Sequence, residues 1–142
     1  MSYEDAAEKG IGEDAHPHMA VLSITAGIMQ RAVDDVVTGI VHGALHDDLT
    51  PTGRSQDYHG VVSSANHNYP LRHEILDAVA FLHDWRGEHA CDLIAIISGV
   101  KTTPVFWRNR ARRIAAEGTR VNRGTAGFHF LTEMRALPNA AN

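Results

Sequence analysis

The sequence predicts a mainly α-helical protein carrying one small β-hairpin, and three observations support this. Apolar residues recur at helical spacing through about residues 19–45, 71–85 and 90–118. Punctuating residues stand at the ends of these runs: Pro70, Gly87, Gly99, Pro104 and Gly118. Residues 119–131 instead offer two short extended stretches around a glycine-containing turn.

Taken in order, residues 1–17 are polar and acidic, with Gly10 and Gly12 opposing a helix, and read as a flexible N-terminus. A long helix follows within residues 18–49. Leu22, Ala26, Met29, Val33, Val36 and Ile40 form one apolar row, and Ile24, Ile28, Val37, Val41 and Leu45 a second. Two rows imply contacts on two sides, one to the rest of the chain and one to a second subunit. Gly27, Gly39 and Gly43 would allow close approach. A fourth core helix of a monomer fits the same pattern. Residues 50–70, rich in Thr, Gly, Ser, Asn and Asp, read as a connector with a short strand at Gly60-Val61-Val62-Ser63. Residues 71–132 form the main domain and 133–142 a C-terminal tail.

The main domain has a recognisable centre. Ala90, Leu93, Ile94 and Ile97 line one face of a helix that Gly99 ends, because glycine adopts positive φ without a Cβ clash. Val100 plugs the corner. Thr103 then caps a second helix and Pro104 occupies its first position, where a missing N–H costs nothing. At about 100° per residue, Trp107, Ala111, Ile114 and Gly118 share one sector, while Asn109, Arg112, Arg113 and Ala116 point the other way. A competing register would anchor this helix on Val105. That choice drives Arg112 toward the core, so Trp107 is preferred.

Over about Leu71 to Leu131 this segment resembles the winged helix-turn-helix DNA-binding superfamily. Leu71, Ile75, Leu76, Val79, Leu82 and Trp85 supply the stripe of a preceding helix that Gly87 ends. Thr119-Arg120-Val121-Asn122, a turn through Arg123-Gly124-Thr125-Ala126-Gly127, and Phe128-His129-Phe130-Leu131 supply the wing. The resemblance implies double-stranded DNA as partner, with the Thr103–Gly118 helix in the major groove. Thr103, Asn109 and Arg113 are then the candidate base readers, since Arg grips guanine and Asn adenine bidentately. Lys101, Arg108, Arg110 and Arg112 are the candidate phosphate contacts, with Thr102 beside them at the helix entry. Arg120, Asn122 and Arg123 would touch backbone or minor groove from the wing. A homodimer through the 18–49 helix would match inverted half-sites.

Charge is distributed to suit such a role. From Lys101 onward eight basic residues face two acidic ones, a balance of +6, whereas the first hundred positions hold five basic and fifteen acidic residues. The overall −4 therefore conceals a dipolar chain, and binding phosphates needs only a local basic surface. No apolar run reaches membrane-spanning length and no secretory signal opens the chain. Cys91 is the only cysteine, so no internal disulfide forms; a cytoplasmic protein is expected.

Ten histidines stand out. His42 and His46, four apart on the expected helix, with Asp47 as a third ligand, are weak metal candidates. They lack the glutamate of HExxH, and helix C-termini favour histidine in any case. No phosphate-binding glycine loop and no nucleophile elbow is present, and Cys91 falls in a buried helix, so no enzyme and no cofactor is expected. Together these features point to a sequence-specific transcriptional regulator. Two alternatives stay open: a protein–protein interaction module on a winged scaffold, and a metal- or ligand-sensing regulator.

Overall fold

The computed structural model describes residues 12–53, 70–117 and 129–137. They contain five helices: α1 (Gly12–Val41), α2 (Arg72–Phe81), α3 (Trp85–Ser98), α4 (Pro104–Ala116) and α5 (Phe130–Arg135). Each of the other four packs against α1, and one apolar cluster runs from Leu22 to Met134. The mainly α expectation holds.

The helix α1 is central because its first apolar row is buried along its length: Leu22, Ala26, Met29, Val33 and Val36 all lie in the core. Its second row divides. Val37 is buried, but Ile24 and Ile28 are exposed along with Met19 and Val21. The helix begins at Gly12, inside the segment expected to be a flexible N-terminus, and stops at Val41 rather than continuing to Leu45. Gly43 takes φ +83°, Ala44 and Leu45 donate their N–H groups back to Gly39 O at 2.8 and 3.0 Å, and Leu45 folds onto the core. Gly39 accommodates this return, since a Cβ there would lie 2.8 Å from Ile75 Cγ2 and 2.9 Å from Leu45 Cδ1. The following loop is closed by His46 N–H to Thr50 O at 2.8 Å and Thr52 N–H to Ala44 O at 3.0 Å. Leu49, buried, holds φ +70° there, a conformation that costs a branched side chain roughly 1–2 kcal/mol and that its burial offsets.

The stretch expected to be one helix ending at Gly87 is instead two. Phe81 ends α2, and Asp84 starts α3 by accepting from Arg86 N–H at 2.9 Å. Gly87 lies inside α3 and permits the sharp corner. Trp85 leaves the α2 stripe and is 70% exposed. The corner between α3 and α4 follows the sequence closely. Gly99 is left-handed at φ +79°, Val100 is buried, Thr103 Oγ1 accepts from Phe106 N–H at 3.1 Å, and Pro104 opens α4.

The β-hairpin is corrected. Its first strand and turn, with Arg120, Asn122 and Arg123, lie outside the described residues, as does the short strand at 60–63. In the described part of its second strand, His129 is an extended N-cap and Phe130 and Leu131 begin α5. Phe130 and Met134, four apart, are both buried, and the Phe130 ring packs on Trp107 with centroids 4.5 Å apart. Gln30 Oε1 accepts the Phe130 N–H, and His129 Nδ1 lies 3.4 Å from the Thr132 N–H that it caps. Among the described residues the only β pairing is an isolated bridge between Leu45 and Pro51.

One buried group opposes this packing. Asp34 is buried; its Oδ2 accepts from Gln30 Nε2 at 3.0 Å and its Oδ1 has no partner among the described residues. Burial pushes its carboxyl up to about 6, against the Gln30 hydrogen bond and helped by the neighbouring Asp35 charge. A carboxyl whose folded value exceeds its unfolded value weakens the fold when ionised, so the cost is full above about pH 6 and fades as pH falls toward 4. The Asp34→Asn protein is expected to be more stable than the parent by about 1–2 kcal/mol at pH 8. That advantage should shrink to a small fraction by about pH 3.5 in urea melts at both values, and a pH-independent difference would refute the assignment.

Candidate nucleic-acid interface

The sequence of α4 divides its arginines between two tasks. Trp107, Ala111 and Ile114 are buried and fix the helix phase, while Val105 is exposed, so Trp107 is the anchor. Trp107 Nε1–H donates to Thr102 Oγ1 at 2.9 Å, which ties the corner before α4 to the core. Thr102 therefore braces the corner. Burial pushes the Cys91 thiol up, which suits an inert core residue.

Arg108 and Arg110, two candidate phosphate contacts, turn to the protein. Arg108 Nη1 donates to Leu82 O, the carbonyl at the end of α2, which satisfies a helix C-terminus as a basic group there should. Desolvation, with some repulsion from Arg112, lowers its basicity. Arg110 grips Glu133 of α5 through two bonds, Nε to Oε2 at 3.0 Å and Nη2 to Oε1 at 2.6 Å, and the Glu133 hydrogen bonds raise its basicity. The pair ties α5 to α4. Partly buried and bidentate, it is expected to contribute about 1 kcal/mol, so Glu133→Gln should lower the urea midpoint measurably. No change would show the pair to be incidental.

The outward face keeps the rest. Asn109, Arg113 and Ala116 are placed on it, Arg112 is half-buried as it rises from it, and Val105 stands exposed at the head of the same stripe. Arg112 donates from Nε to Asp47 O at 2.6 Å and from Nη1 to Asn109 Oδ1 at 2.7 Å, so the loop after α1 steadies it. Arg113 is not drawn into any of the ion pairs formed among the described residues. Lys101 is exposed at the entry to α4, and Thr103 is exposed but commits its hydroxyl to capping.

The metal candidates are not assembled. His42 follows the end of α1 and His46 lies in the loop beyond Gly43, so they do not share a helix face, and Asp47 gives its carbonyl to Arg112. Among the described residues no group of His, Cys, Asp and Glu side chains is placed to hold a metal ion. No described helix is long and apolar enough to cross a membrane.

Sequence reasoning missed Glu133, Gln30 and Asp84. Of these only Asp84 had a local signal, an aspartate followed by Glu88 in the next turn, the residue types that helix N-termini favour. Glu133 and Gln30 act across 23 and 100 residues of chain, a distance that spacing cannot report. No family model, curated protein or solved structure matches the chain.

Proposed function

We propose that the protein is a double-stranded DNA-binding transcriptional regulator that lays α4 in the major groove. The reading rests on one observation: a helix–corner–helix unit carries Asn109, Arg112 and Arg113 as a polar, basic stripe opposite the buried Trp107 face. In this proposal Arg113 and Asn109 read base edges and Arg112, held rigid by Asp47 and Asn109, grips phosphate. Lys101 adds charge at the helix entry, and Arg120, Asn122 and Arg123 remain candidates for backbone contact. Arg108 and Arg110 leave the phosphate set because their guanidinium groups serve the fold.

Pairing of two copies is part of the proposal, through the exposed Met19, Val21, Ile24 and Ile28 on the N-terminal half of α1. Trp85 and Ile96, 70% and 79% exposed on α3, favour the second reading, a protein-docking module.

Selection of duplexes from a random library, then anisotropy titrations on the winner at several salt concentrations, decides between them. Arg113→Ala is expected to weaken binding about tenfold or more and to relax specificity at one position. Arg112→Ala should weaken all sequences alike and reduce the salt slope by about one. Affinity indifferent to both substitutions, or no salt-dependent binding at all, rejects the DNA reading.

A further inference from the structure

The outward face of α3 carries a stripe that the core does not use. At about 100° per residue, Trp85, His89, Asp92 and Ile96 fall within a sector of roughly 60°, opposite the side on which Ala90, Cys91 and Ile94 are buried. All four stripe residues are exposed. Their spacing, four then three then four residues, is that of a seam along which two helices pack, and at 1.5 Å per residue it runs for about 16 Å. The Trp85 and His89 rings lie beside one another with centroids 6.5 Å apart, so indole and imidazole present one surface.

The seam complements itself when reversed. A two-fold axis through the middle of α3, between His89 and Asp92, sets Trp85 against Ile96 of a second copy and His89 against its Asp92, and each contact then occurs twice. The apolar ends cover one another. At the centre an imidazole N–H donates to a carboxylate. The flanks agree, since Glu88 meets Ala95 and Arg86 meets Leu93, and no like charges confront one another. A parallel pairing would instead place Asp92 on Asp92 and His89 on His89. None of the ion pairs among the described residues uses Glu88, His89 or Asp92.

We propose that α3 is a self-association surface that packs antiparallel on α3 of a second copy through Trp85, His89, Asp92 and Ile96. A wholly apolar partner fits poorly, because it would cover the Asp92 carboxylate without offering a hydrogen bond. Nucleic acid is opposed by Glu88 and Asp92. The surface is separate from the apolar strip of α1 and from the basic stripe of α4, so the contact does not rest on the DNA reading. One helix pair is a small interface, and a Kd of about 10–100 µM is expected.

Sedimentation equilibrium on the full chain tests this, with Ile24→Glu placing a charge in the α1 strip so that pairing there does not contribute. The Ile24→Glu protein should show a monomer–dimer equilibrium below about 1 mM. Adding Ile96→Asp should weaken it about tenfold or more. Adding His89→Asp instead, which sets carboxylate against carboxylate twice, should weaken it about tenfold, and the further change Asp92→Lys should bring the dimer back to within about threefold of the Ile24→Glu protein. These side chains are all exposed, so the monomer fold is retained, as circular dichroism checks. An Ile24→Glu protein that stays monomeric to about 1 mM, an undiminished dimer with His89→Asp, or no recovery with Asp92→Lys overturns the proposal.

Discussion

Replacing Trp107 by Ala should remove about 3–5 kcal/mol of stability, enough to unfold much of a protein whose total is of order 5–15 kcal/mol. The indole is fully buried and touches three separate parts of the chain. Its ring stands edge-on to Phe106 at 4.8 Å and tilted against Phe130 at 4.5 Å, and its N–H holds the Thr102 hydroxyl. Truncation leaves a cavity, deprives Phe130 of its partner and strands a hydroxyl at the α3–α4 corner. Because Phe130 begins α5, that helix should detach first, exposing the Arg110–Glu133 contact. Trp85→Ala is the matched comparison. That indole is largely exposed, so its loss should cost under about 0.5 kcal/mol. Urea melts followed by circular dichroism check both, and a Trp107→Ala protein within about 1 kcal/mol of the parent would refute the role assigned to the indole.

Gly87→Ala should cost about 2–3 kcal/mol, although alanine is the better helix former. A Cβ at Gly87 would collide with the carbonyl oxygen of Phe81 and lie 3.4 Å from Pro104 Cγ. The oxygen belongs to backbone at the end of α2 and cannot rotate aside, so α2 and α3 must be forced apart. The strain then reaches Leu82, whose carbonyl receives Arg108 of α4. Gly27, on the exposed part of α1 with nothing among the described residues within 4 Å of an added methyl, reverses the sign. Gly27→Ala should stabilise by roughly 0.5–1 kcal/mol, the ordinary helical gain. Opposite shifts in melting temperature for the two variants test the contact directly.

The contrast between these glycines shows what spacing alone cannot tell. Gly87 looks like a helix terminator because it follows an apolar run, but its role is a close approach of two backbones. Phe128 and Phe130 alternate as in a strand, whereas Phe130 and Met134 repeat as in a helix; only the pocket beside Trp107 decides between the two periods. His42 and His46 match a metal spacing that requires a continuous helix. Gly43 at positive φ removes the helix.

Within α4 the division is similar. Its phase is legible because burial of Trp107, Ala111 and Ile114 and exposure of Asn109 follow from 3.6 residues per turn. The fate of Arg108 and Arg110 is not, since both flank the buried face and their long side chains reach partners on α2 and α5.

The sequence by itself determined the helical class, the Gly99–Pro104 corner, the core face of α4 and the buried row of α1, all consequences of local φ preference and apolar period. Tertiary structure alone decided where α2 ends, that α5 replaces a strand where the two overlap, and which arginines face outward. Each of those depends on what lies across the core from a residue, and one-dimensional spacing carries no record of that.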